Sequence, residues 1–134
     1  MIVSQVSAVS FSSYQSPLKK LFKEGKMPSV KYGIYGNPIG PDNVSLEHIK
    51  PRSKGGLSAL KNYALADRRT NANRGSEPFK NVCDWEMVNK YLSQFNFKIK
   101  GFDGFAYQDM IRKTCEKLKL HEILPWKRFL FHYE

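Results

Sequence analysis

The chain has 134 residues, about the length of one domain, which argues against a second independent core. Hydrophobic residues at 41% and charged residues at 25% exclude a disordered tail, and no apolar run approaches the roughly 20 residues that span a bilayer. A formal net charge of +10 suits a polyanionic partner, because neutralising phosphates and releasing their counterions drives most nucleic-acid affinity.

In chain order, residues 1–16 are apolar and Ser-rich. They lack the basic leader of a secretion signal and the Arg of a transit peptide, and read as an N-terminal strand or arm. A helix is predicted over 17–24, with Ser16 as cap, Pro17 in the first turn, Gly25 as stop, and Leu18, Leu21 and Phe22 on its apolar side. Residues 30–43, dense in Gly, Pro and Asn, read as short extended pieces joined by turns, with Tyr32 and Tyr35 as packing residues. A strand is predicted over 44–49, a loop over 51–61 with Gly55-Gly56 as a flexible point, and a second strand over 62–66. A short helix follows from about 68, ended by Gly75 and Pro78.

The C-terminal third is predicted to be helical. Trp85, Val88, Leu92 and Phe95 share one face behind an Asp84 cap, and Tyr107, Met110, Ile111 and Leu118 mark another helix after a turn at 101–104. These residues read as core. The tail PWKRFLFHYE fits either packing against the body or a basic-aromatic contact. Cys83 and Cys115 lie in apolar patterns and read as buried small hydrophobes, in keeping with a reducing, intracellular compartment. His121 and His132 stand without chemical company and read as structural.

Charge and chemistry concentrate in one stretch. Between Glu47 and Lys80 lie eight basic residues against three acids, half of the chain's excess in about a quarter of its length. Within it stand Glu47-His48, Pro51-Arg52-Ser53-Lys54-Gly55-Gly56, Lys61-Asn62 and Arg68-Arg69-Thr70-Asn71. Adjacent residues on a strand point to opposite faces, so joint use of Glu47 and His48 requires a bend, which Pro51 makes plausible. An imidazole has the unperturbed pKa suited to removing a proton near neutrality. A carboxylate and an amide oxygen are hard ligands, suited to Mg²⁺ rather than zinc. With basic side chains to hold phosphate, this combination describes metal-assisted phosphodiester hydrolysis.

The stretch 46–75 resembles the HNH endonuclease motif: an acid-His pair, an I-x-P-x-S-x-G-G loop, an N-L-x-L-A strand, and an Asn or His opening a helix. Here these are Glu47-His48, Ile49 to Gly56, Asn62-Tyr63-Ala64-Leu65-Ala66, and Asn71, in the family's order and spacing. The resemblance implies an α+β fold with a ββα-metal core over about 30–80, flanking helices on both sides, and a helical extension over 84–134, all in one domain. It implies that His48 is the general base and that Asn62 bonds across the loop to orient the imidazole. Glu47 and Asn71 would hold one Mg²⁺ or Mn²⁺, with Asn73 as an alternative to Asn71 because Asn73-Arg74-Gly75 also matches an N-R-G variant. Lys50, Arg52, Lys54, Arg68, Arg69 and Arg74 would contact nucleic acid, DNA before RNA, with pairing to Asp67 or Glu77 as the alternative for one of the last three.

The chain departs from the family pattern in two respects. Glu47 stands where Asp is commoner. The two CxxC zinc knuckles of many members would fall on Gly33-Ile34-Tyr35-Gly36 and Asp67-Arg68-Arg69-Thr70, where all four ligand slots lack sulfur, so no structural zinc is expected and packing must replace it. An alternative of a different class is a non-catalytic nucleic-acid-binding module on the same scaffold. Binding to an anionic membrane is disfavoured, since no predicted helix sets a strongly basic face against a broad apolar one.

Overall fold

The structure, a computed structural model, describes residues 17–120. The N-terminal arm, the Ser16 cap, His121, His132 and the PWKRFLFHYE tail lie outside the described residues. Those described form an α+β fold with four α-helices and two small antiparallel sheets. Helix α1 (Pro17–Lys23) buries Leu18 and Phe22, and Gly25 closes it at φ +77°. Strands β1 (Val44–His48) and β2 (Tyr63–Asp67) pair antiparallel, with Glu47 opposite Ala64 and His48 opposite Tyr63. Helix α2 (Arg68–Arg74) follows β2 directly, so hairpin and helix succeed one another without a linker.

Helices α3 (Trp85–Leu92) and α4 (Gly104–Lys117) form the C-terminal part, each with the aspartate before it as cap: Asp84 accepts from Met87 N–H, and Asp103 from Phe105 and Ala106 N–H. Between them lies a feature that sequence reading took for a plain turn. Strands β3 (Lys98–Ile99) and β4 (Phe102–Asp103) pair antiparallel, and Gly101 supplies the left-handed φ of +87° at the bend.

Strand β2 is buried along its whole length, and its edge away from β1 is satisfied mainly from the side. Leu65 N–H donates to the Tyr91 hydroxyl (2.9 Å), Tyr91 and Tyr107 hydroxyls bond each other (2.9 Å), and Tyr107 donates to Tyr63 O (2.7 Å). Ile34 N–H completes this edge on Leu65 O (2.8 Å). Tyr107, read as apolar core, and Tyr91 of α3 therefore carry a hydroxyl relay that takes the place of a third strand. Burial pushes both tyrosine hydroxyls well up, so they remain protonated donors. Cys83 and Cys115 are both buried free thiols, as the apolar pattern predicts.

The connection from β1 to β2 differs from the predicted loop. It contains two single 3-10 turns, Arg52–Lys54 and Leu60–Asn62, and β2 begins one residue later than predicted because Asn62 ends the second turn. Gly56 serves close approach rather than flexibility: a Cβ there would sit 1.8 Å from Lys50 O. Its N–H instead bonds Pro51 O at 2.9 Å, folding the loop back on its own start.

Candidate functional site

Strand β1 ends at His48 and the chain bends at Ile49 and Lys50. Glu47 and His48 are the last two residues of β1, and both line one open cavity of about 410 Å³. Its other walls include Pro51, Arg52 and Ser53 of the loop, Asn71 of α2, and Gly75 and Ser76 beyond it. A larger groove of about 610 Å³, near Tyr32, Met87, Lys90 and Gln94, contains neither His nor carboxylate. The singled-out Glu47, His48 and Asn71 line the smaller one.

Glu47 is 4% exposed and faces inward. Its Oε2 accepts from the Tyr35 hydroxyl at 2.5 Å and pairs with Arg74 Nη1 at 3.1 Å. Burial, and then the charge of Glu47, push the Tyr35 hydroxyl far above its ordinary pKa, so it stays a neutral donor. Asn71 meets the other oxygen. Its distal amide atom lies 2.9 Å from Glu47 Oε1 and 3.3 Å from Oε2, and of the amide's two orientations the one with Nδ2 toward Glu47 satisfies both amide atoms. In one, Nδ2 donates to Ser45 Oγ (2.7 Å) and Leu46 O (3.3 Å), and Oδ1 faces the carboxylate, acceptor to acceptor. In the other, Nδ2 donates to Glu47 and Oδ1 accepts from Ser45 Oγ.

His48 is half-buried, its ring edge-on to Tyr63 at a centroid distance of 5.0 Å and its Nε2 3.5 Å from Ser58 Oγ. Burial lowers its pKa below 6.5, the positive charges of Arg52 and Arg74 act in the same direction, and Glu47 opposes them. The ring is therefore neutral at neutral pH. Asn62, expected to orient this imidazole by a hydrogen bond, does not touch it. Its Oδ1 accepts from Lys50 N–H (2.8 Å), and its Nδ2 donates to Lys50 O (3.0 Å) and Leu57 O (2.8 Å). A side chain buried beside the loop reaches main-chain groups first, so Asn62 fixes the loop that flanks the ring, not the ring itself.

Arg74 requires a correction. Expected as a phosphate contact, it is 7% exposed and its donors are already used. Besides Glu47, it donates to His48 O (2.9 Å), Ile49 O (2.8 Å) and Glu77 O (2.8 Å), and its guanidinium lies 5.4 Å from the Phe79 ring centroid. It pins the bend that turns Glu47 and His48 toward one cavity. Lys50, Arg52, Lys54, Arg68 and Arg69 are exposed, and Arg52 stands at the cavity itself. Asn73 is exposed and does not line the cavity, which separates it from Asn71.

Sequence reading missed Tyr35 and the pairing of Arg74. It took both tyrosines of this segment for packing; Tyr35 does pack against the core and Phe79, but its hydroxyl also bonds the carboxylate that lines the cavity, and Tyr32 is 51% exposed. The available signal was general: a tyrosine hydroxyl that becomes buried needs a polar partner.

The sulfur-free knuckle positions also meet in space. Asn37 Nδ2 donates to Asp67 Oδ1 (3.1 Å) and Thr70 Oγ1 (3.0 Å), and Asp67 Oδ2 accepts from Thr70 N–H (3.0 Å) and its hydroxyl (2.7 Å). Gly33 packs so tightly on β2 that a Cβ would lie 2.7 Å from Ala66 Cα. A polar cluster centred on Asn37 thus joins the segment after Gly36 to the start of α2. Burial raises the Asp67 pKa, but the hydrogen bonds from Thr70 and Asn37 outweigh it and hold the carboxyl below 3.8. Asp67→Ala is expected to destabilise the fold by about 1–2 kcal/mol, as loss of a cap with extra bonds does. Because the folded-state pKa is depressed, this contribution is present above 3.8 and lost as pH falls through the lowered value. Denaturant melts of both proteins should therefore converge in strong acid, and an equal gap at every pH would exclude the carboxylate as its source.

Among the described residues, no group of three or more His, Cys, Asp and Glu could hold a metal ion, so any cation at this site depends on Glu47 and a neutral oxygen. No described helix is long and apolar enough to cross a membrane. Comparison with family models, with curated proteins and with solved structures finds no match.

Proposed function

We propose that the chain is a metal-dependent endonuclease of the HNH type, hydrolysing phosphodiester bonds of nucleic acid, DNA in preference to RNA. One observation carries the reading: Glu47 Oε1 and the Asn71 amide lie 2.9 Å apart beside His48, all lining one cavity. Adjacent oxygens around an octahedral Mg²⁺, with metal–oxygen distances of about 2.0–2.1 Å, stand about 2.9 Å apart. With Oδ1 against the carboxylate, two acceptors face each other and a hard cation would sit between them, whereas with the amide turned Nδ2 donates to Glu47 and both groups are satisfied without one. A carboxylate oxygen and an amide oxygen are hard donors of the kind Mg²⁺ or Mn²⁺ takes, which supports the reading. The succession of β1, β2 and α2 around this pair supports the ββα-metal arrangement.

In this reading His48, neutral at neutral pH, takes a proton from the attacking water. Glu47 and Asn71 hold the cation, which when bound supplies Lewis-acid stabilisation of the phosphate and the departing 3′ oxygen. Arg52, at the cavity, positions the phosphate. Asn62 and Gly56 keep the loop that carries Arg52 in its folded-back shape. The products would carry a 5′ phosphate and a 3′ hydroxyl, as the family resemblance implies.

The test is nicking of supercoiled DNA with Mg²⁺, Mn²⁺ or EDTA. Cleavage should require the cation, and Glu47→Ala or Asn71→Ala should raise the metal concentration for half-maximal rate by about tenfold or more. Cutting that proceeds in EDTA would reject the reading. The second reading, a binding module without chemistry, draws on the Glu47–Arg74 ion pair, since a carboxylate already neutralised needs no cation. DNA retention without nicking in every metal would decide for it.

A further inference from the structure

The two oxygens of Glu47 are employed differently. Oε2 is taken up by the Tyr35 hydroxyl and by Arg74 Nη1 at 3.1 Å, and these two donors are themselves 3.3 Å apart. Oε1 faces the Asn71 amide. The side chains that converge there carry one negative and one positive charge, with a neutral amide and a neutral phenol. The ion pair is deeply buried, with the Arg74 side chain 1% and the Glu47 side chain 5% exposed, so solvent screens it little.

A positive charge against a carboxylate lowers its affinity for any second cation. Mg²⁺ is in general held by one or two carboxylates together with substrate phosphates, and here the protein's own share of negative charge is cancelled. The missing anion must come from elsewhere. Exposed Arg52 at the cavity is placed to bring one.

We infer that Arg74 is a positioning residue that directs Glu47 Oε1 toward the cavity and cancels the carboxylate's charge, so that a divalent cation binds tightly only together with a nucleic-acid phosphate. The inference rests on the metal-nuclease reading and adds an order to it: cation and nucleic acid bind cooperatively, each raising the other's affinity by the same factor.

Two binding measurements on the full chain test it at constant ionic strength. The first follows free Mn²⁺ by its paramagnetic resonance during titration of the protein without nucleic acid. The second follows the fluorescence anisotropy of a labelled DNA duplex with His48→Ala protein, in Mn²⁺ and in EDTA. Mn²⁺ alone should bind weakly, and the duplex should bind about tenfold or more tighter with Mn²⁺ than without, a gain lost when Glu47→Gln is added. Arg74→Gln should strengthen Mn²⁺ binding without DNA by about tenfold, whereas Arg74→Lys, which keeps the charge, should not. The wild-type and His48→Ala arms decide the matter even if an Arg74 variant fails to fold. Tight, Glu47-dependent Mn²⁺ binding without DNA, unchanged by the duplex, overturns the inference and leaves the nuclease reading standing. No Glu47-dependent Mn²⁺ binding with or without DNA overturns both.

Discussion

His48→Ala should lower the rate of DNA nicking by about 10²–10⁴-fold, the contribution of a positioned general base, and leave nucleic-acid affinity nearly unchanged. The imidazole is half-buried, meets Tyr63 only by its edge and stands 3.5 Å from Ser58 Oγ, at the limit of a hydrogen bond. Truncating it should cost about 1 kcal/mol of stability or less, so lost activity would report chemistry rather than unfolding. Exposed cations such as Lys50, Arg52 and Lys54 are untouched by the change, which is why binding should survive.

The pH profile provides a second readout of the same residue. Burial and the charges of Arg52 and Arg74 lower the His48 pKa below 6.5 in spite of Glu47. A base works in its neutral form, so nicking should rise with pH with its midpoint below 6.5. The sign for stability follows: the unfolded chain takes up its proton at higher pH than the folded one, so acidification below 6.5 favours unfolding. Residual cleavage by His48→Ala should lack the acid limb. Undiminished cutting by that variant, or an unchanged limb, would remove His48 from the role of base.

Much of the architecture could be read from local signals because those signals are local in cause. Pro17 and Gly25 bracket α1, Asp84 caps α3, and Gly75 follows α2, each acting on the turn beside it. The β3–β4 hairpin escaped notice because two-residue strands are too short for any periodicity to register. Strand β2 came out one residue late because the hydrophobic pattern marks the strand, whereas the three hydrogen bonds of the Asn62 side chain bind it to the preceding loop.

The site divides in the same way. Glu47, His48 and Asn71, with Asn73 as alternative, were singled out through the family resemblance, and the structure brings the first three to one cavity. The partners of Glu47 were not legible, since Tyr35 and Arg74 lie far from it in sequence and bear no fixed offset from it. Arg74 misled for a physical reason. Arginine in a basic stretch is usually solvated, but this one follows six helical residues that turn its side chain under the hairpin, where His48 O and Ile49 O await donors. Charge counted along the chain therefore overstates what faces a nucleic acid.

The other large effect is expected from Asn62. Its buried side chain satisfies Lys50 N–H, Lys50 O and Leu57 O, while its own carbonyl accepts from Ile49 N–H at 2.9 Å. Asn62→Ala leaves those main-chain groups without their partner, at about 1–3 kcal/mol for each that water cannot reach. A total near 3 kcal/mol, or about 10 °C or more in Tm for a domain of this size, is the expected loss. Asn62→Asp separates hydrogen bonding from shape. The carboxylate is isosteric and can still accept from Lys50 N–H, but its second oxygen would face the carbonyls of Lys50 and Leu57, acceptor against acceptor. It should therefore fail to restore Tm although it fills the same volume. Because Asn62 acts on the loop and not on the imidazole, cleavage by a variant that stays folded at low temperature should show a raised KM, reflecting the displaced Arg52, with the acid limb of the pH profile unmoved. A shifted acid limb with unaltered KM would mean that Asn62 governs the ring after all.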